Sequence, residues 1–202
     1  MRIASRTLAA IIVFAPIPAL AQGWINYFDY EQRFSINLPG DPEIEDTTII
    51  SLRGDTYPAR IYRADDGESS YMVKVVDYTE PLNVSNAVGV VDVRGSIAWE
   101  AWHYRMDVRD AGGEITFDGY AQIDRIEGHQ LQITNADGSH TFVAMHLNAS
   151  RLYVLEARVP EGAPLPMLFQ VSLQILDENG DRVRFEIDGE GQRTRVDQPT
   201  LQ

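Results

Sequence analysis

Alternation of apolar and polar residues with a period of two runs through most of this chain, and that period belongs to half-buried strands rather than to helices. It recurs in Arg33-Phe34-Ser35-Ile36-Asn37-Leu38, in Thr48–Leu52 and in Ala59–Tyr62. Tyr71–Tyr78 is apolar on nearly both faces, which predicts a central strand covered on each side. A chain patterned in this way must build a sheet, and something must lie over both of its surfaces.

The remaining segments supply the rest of that sheet and its cover. Glu114–Ile123, Gln130–Thr134, Thr141–Leu147 and Leu152–Val159 follow one another closely, with turn chemistry in Asn135-Ala136-Asp137-Gly138, and so predict an antiparallel meander. Between Asp92 and Arg109, Trp99, Trp102 and Met106 recur at spacings of three and four, the stripe of an amphipathic helix that Gly112-Gly113 would end. Pro160, Pro164 and Pro166 lead into Leu165, Leu168, Phe169 and Leu173, again at helical spacing, with proline tolerated in a first turn. Asn179-Gly180 is a hairpin signal, and Arg182–Ile187 alternates as a last strand. The expected class is α+β, an antiparallel sheet flanked by helices.

The first 21 residues stand apart. Arg2 and Arg6 precede the apolar run Leu8–Ala21, which ends in Ala19-Leu20-Ala21, the small-x-small pattern of a cleavable secretory signal. The run is too short to span a bilayer, and Pro16 and Pro18 interrupt it. The expected organisation is a signal at 1–21, one α+β domain at 22–189 and a polar tail at 190–202 that frays. The expected location is periplasmic or secreted.

An exported chain with no cysteine must draw its stability from its core, and it has no thiol for a lipid anchor, a thiol nucleophile or a Cys-ligated zinc. The net formal charge of −13 becomes more negative once the two arginines of the signal leave. Such a balance argues against nucleic acid and anionic lipid as partners.

No residue set commits the chain to a chemistry. A Gly-x-Ser-x-Gly elbow is absent, and His103, His129, His140 and His146 include no His-Glu-x-x-His. His140 and His146 lie six residues apart in an extended segment, about 20 Å and too far to share a metal, although His129 could approach one of them across the hairpin. Asp177, Asn179, Asp181 and Asp188 have the spacing of calcium-loop ligands, but Arg182 stands where that loop needs glycine. Glu156, flanked by Leu155 and Ala157, is the carboxylate best placed to be partly buried. Its plain role is an ion pair with Arg158 on the same strand face; its functional role would be general acid or base, with His146 brought near it. Trp99, Trp102 and Tyr104 could form a ligand platform, but their spacing reads first as core, with Tyr104 the exposed one. Neither catalytic, cofactor nor metal residues are therefore assigned.

The string Tyr30-Glu-Gln-Arg-Phe-Ser-Ile-Asn-Leu-Pro-Gly-Asp-Pro42, the strand Tyr71–Tyr78, the run Arg151-Leu-Tyr-Val-Leu-Glu-Ala157 and the ending Phe169-Gln-Val-Ser-Leu-Gln-Ile-Leu176 resemble exported bacterial proteins of the PsbP/Mog1-like type. The resemblance covers about Trp24 to Ile187 and implies an α/β/α sandwich. It also implies a non-catalytic accessory or binding module, since such domains serve partners as different as a photosystem and a small GTPase. The expected role is thus a periplasmic accessory or binding domain for an envelope protein or small ligand. The alternatives are an envelope hydrolase built on Glu156 and a nearby histidine, or a weak divalent-cation-binding domain.

Overall fold

The computed structural model describes residues 23–83 and 95–196. The signal expected at Met1–Ala21 lies outside the described residues. In chain order, the described residues form β1 (Ile25–Asp29), β2 (Phe34–Leu38), β3 (Glu43–Ile50), β4 (Thr56–Asp66), β5 (Ser69–Asp77), α1 (Gly95–Ala111), β6 (Glu114–Ile123), β7 (Ile126–Thr134), β8 (His140–Asn148), β9 (Arg151–Val159), α2 (Met167–Val171), β10 (Gln174–Ile175), β11 (Phe185–Ile187) and β12 (Arg193–Arg195).

Seven strands form one sheet in the order β3-β4-β5-β9-β8-β7-β6. Every neighbouring pair is antiparallel. The meander expected from Glu114 to Val159 is one half of this sheet, and it returns β9 alongside β5. Its first turn is two residues long: Asp124 and Arg125 both take positive φ, 50° and 64°, the conformation that matches the twist of a tight hairpin. Neither is glycine, and the Asp124 carboxylate is held by the Arg182 guanidinium at 2.6 and 2.9 Å.

The strand predicted as central has a core on each side. Val73 and Val75 of β5 pack with Tyr62, Leu155 and Ala157 beneath Phe34, Ile36, Leu38, Phe169 and Ile175. Val76 packs on the opposite surface with Leu131, Val143, Met145 and Val154, under Ala101 and Val108 of α1. A small sheet, β1-β2-β10, together with α2, therefore covers one face, and α1 covers the other. The class is α+β.

Three expectations need correction. The stripe of α1 that packs on the sheet core is Ile97, Ala101, Tyr104 and Val108, with Ala101 and Val108 buried and Tyr104, expected to be the exposed one, half-buried; Trp102 is exposed, and the half-buried Trp99 and Met106 lie outside that core. Two stripes at spacings of three and four coexist on this helix, and the sheet selects the one with smaller side chains. The second helix is a five-residue turn; Phe169 and Leu173 are buried, but Leu165 and Leu168 are exposed, because so short a helix has one inward face. The last strand starts at Phe185, and its partner β12 falls within the stretch read as a polar tail. There the Arg193 guanidinium lies 3.6 Å from the centre of the Phe185 ring.

Gly112 takes φ of 75° and Gly113 donates to the Val108 carbonyl at 2.9 Å, the left-handed cap that ends α1 where expected. No helix among the described residues is long and apolar enough to cross a membrane.

Candidate functional site

Alternation along β8 and β9 separates residues that the sequence alone could place together. Glu156 lies on the α1 side of the sheet, where it accepts a hydrogen bond from Tyr104 Oη at 2.6 Å. Burial and the adjacent Glu156 carboxylate both raise the Tyr104 phenol well above its ordinary range. Arg158 shares that strand face, but its guanidinium donates to Asp137 at 2.5 Å and Ser139 at 3.1 Å rather than pairing with Glu156. His146 is on the other side, opposite Tyr153 and Gly128, so the expected approach of His146 to Glu156 does not occur. Burial pushes its imidazole down to about 4, against a hydrogen bond with the Ile126 backbone.

His129 faces α1 and pairs in register with Met145, hence it points away from His146. Its Nε2 lies 2.7 Å from Asp118 Oδ1, and Arg105 reaches the same carboxylate through two bonds of 2.6 and 2.8 Å. The Arg105 bonds, opposed by burial and supported by His129, hold Asp118 down to about 2. This cluster ties α1 to β6 and β7.

The four residues spaced as calcium ligands serve two separate turns. Asp177 Oδ1 accepts the backbone N–H groups of Asn179 and Asp181 at 2.8 and 2.9 Å, and Arg195 occupies Oδ2. Asp188 accepts from Glu190 and Gln192 at 3.0 and 2.8 Å, closing the β11–β12 hairpin.

The aromatic residues of α1 gather instead at one end of the sheet. Trp99 and Trp102 stack with ring centres 5.2 Å apart and planes 8° from parallel, and His103 meets both edge-on. Trp99 also lines a hollow of about 100 Å³ with Tyr57, Tyr78, Leu52, Asp55 and Ser96. Tyr57 and Tyr78 lie 4.7 Å apart at its base. Tyr78 is raised by burial first and then by Glu100 and Tyr57, against a hydrogen bond with Ser96. Tyr57 is fully buried, yet its Oη makes no hydrogen bond.

Register decides which apolar side chains face this hollow. Ile49 lies across from Tyr57 and shares its side of the sheet, whereas Ile50, across from Thr56, points to the other side. Leu52 lines the hollow and is 65% exposed, an apolar rim on an aromatic recess. Sequence reasoning gave Trp99 and Trp102 to the core and passed over Tyr57, which lay outside the strand expected at Ala59–Tyr62 and falls within β4.

Sheet order, the covering of both faces and the register are the features by which this chain can be compared with solved structures. The solution structure of cyanobacterial PsbP (CyanoP) from Synechocystis sp. PCC 6803 matches with a TM-score of 0.50, over 81% of this chain and 98% of that one. The fold is PsbP-like. At 14% sequence identity the likeness concerns the fold alone. No protein-family model matches the sequence, and no curated protein does. Within the PsbP-like fold, the hollow sits where the β3–β4 turn and the residues after β5 meet α1.

Proposed function

We propose that this chain is a non-catalytic accessory domain of the cell envelope that docks on a partner protein through the aromatic hollow. The observation that carries the reading is the hollow itself: Tyr57, Tyr78 and Trp99 around a recess of about 100 Å³, with exposed Leu52 on its rim. A recess of that size takes one side chain, and an aromatic pocket of this kind is where interfaces concentrate their energy.

Export rests on the signal pattern at Met1–Ala21, and one domain from 22 to 189 with an α/β/α layering accords with cover on both faces of the sheet. The hydrolase alternative has less support, because Glu156 and His146 lie on opposite faces.

Capture from the native envelope extract tests the reading, using the wild-type chain beside Trp99→Ala and Leu52→Asp. A protein held in stoichiometric amount by the wild type and lost from both variants supports docking at the hollow. Equal retention by all three moves the interface elsewhere, and substrate turnover by the purified chain would replace the reading with an enzyme.

A further inference from the structure

A second hollow, of about 390 Å³, lies between the β8–β9 turn and the segment from Leu176 to Phe185. Its volume is within the range of small-molecule sites, roughly 300–1,000 Å³. Three arginines line it, Arg33, Arg151 and Arg195, in a chain whose net formal charge is −13. Asn148, Asn179 and Tyr153 add polar atoms to its wall.

Each of these arginines has a carboxylate partner, so the wall offers leftover N–H donors rather than net positive charge. Asp177 is occupied by Arg195 and by two backbone amides, so its oxygens are directed into its own turn. Glu178 pairs with Arg33 at 2.9 Å but is 79% exposed, where solvent screens it. Arg151 donates from Nη2 to Asp77 at 2.7 Å, while its Nε is buried and has no acceptor. A guanidinium carries five N–H donors in a planar fork, which suits carboxylate and phosphate. Burial raises the Tyr153 phenol, and the strongest charges acting on it are Arg151 and Arg33, ahead of Asp77 and Asp29.

We propose that the hollow bounded by Arg33, Arg151 and Arg195 binds a small oxyanion, with guanidinium N–H groups of Arg33 and Arg151 that Glu178 and Asp77 do not engage donating to it. The overall negative charge of the chain slows the approach of any anion, so binding is weak, with Kd in the roughly millimolar range. This site is independent of the aromatic hollow.

The test is an NMR titration of the full chain with inorganic phosphate and with acetate, each against chloride at matched ionic strength. Saturable shifts at Arg33, Ala149 and Arg151 with phosphate or acetate, absent with chloride, are expected; phosphate alone would assign a tetrahedral anion and acetate a planar one. Arg151→Gln and Arg33→Gln should each weaken binding roughly tenfold. Arg63→Gln, which alters a pair with Glu45 elsewhere on the surface, should leave it unchanged. Should Arg151→Gln fail to fold, Arg33→Gln decides, since its pair with Glu178 is exposed. Equal shifts with chloride, or wild-type affinity in Arg33→Gln, would overturn the site.

Discussion

Gly128 and His146 face each other across β7 and β8, and the imidazole occupies the space in which a side chain at position 128 would begin. A Cβ there would collide with the ring and with the Met145 carbonyl oxygen. The glycine is thus a packing requirement of a buried histidine. Gly128→Ala should cost about 2 kcal/mol or more, by forcing a shift in a close-packed ladder. Urea unfolding measures it, and Gly128→Ala combined with His146→Ala should lose less than the two single costs added, because the ring is one of the two obstacles.

Acid should unfold the chain in two stages. The imidazole of His146 has a folded value of about 4 against an ordinary 6.5, so between these the unfolded chain binds a proton that the folded chain does not. Stability is fully present above about 6.5 and falls as the pH drops towards 4, by about 3 kcal/mol. A second fall follows below 3.8, as Asp118, held down to about 2 chiefly by Arg105, takes up its proton. Urea midpoints measured across this range should lose the first stage, and keep the second, in His146→Leu.

Tyr104 and Glu156 form a structural pair under α1. Tyr104→Phe leaves the carboxylate without its donor and should destabilise by about 2 kcal/mol. Glu156→Gln keeps an acceptor and should cost less. Neither should change capture of a partner, whereas loss of capture with intact folding in Glu156→Gln would give this residue a functional part.

The inward stripe of α1 can be checked by contrast. Trp102→Phe, at an exposed position, keeps a ring to stack on Trp99 and should change stability by no more than about 0.5 kcal/mol. Val108→Ala, facing Leu131 and Val143, should cost about 1 kcal/mol or more. Thermal unfolding of both variants tests which side of the helix packs on the sheet.

Period-two alternation made most strands of the large sheet legible, and Asn135–Gly138 marked the turn between β7 and β8. Side-chain direction along one strand was legible too, which is why Glu156 and Arg158 share a face as expected. Pairing between strands was not: only the register shows that His129 stands opposite Met145 and that Tyr104 reaches Glu156. The α1 stripe was misread because tryptophan dominates any count of apolar residues, while Ala101 contributes little to it and is the residue that the packing buries. Tyr57 became visible as part of a site only once β4, Tyr78 and α1 had been brought together around one recess.

Tyr57 walls the hollow with a buried phenol that makes no hydrogen bond within the fold, and Tyr57→Phe tests this most directly. Measured by urea unfolding in the absence of any partner, the variant should match the wild type or exceed it by about 1 kcal/mol, because an unsatisfied buried hydroxyl is removed. A loss of more than about 1 kcal/mol would contradict the account, since the hydroxyl would then be bonded within the fold.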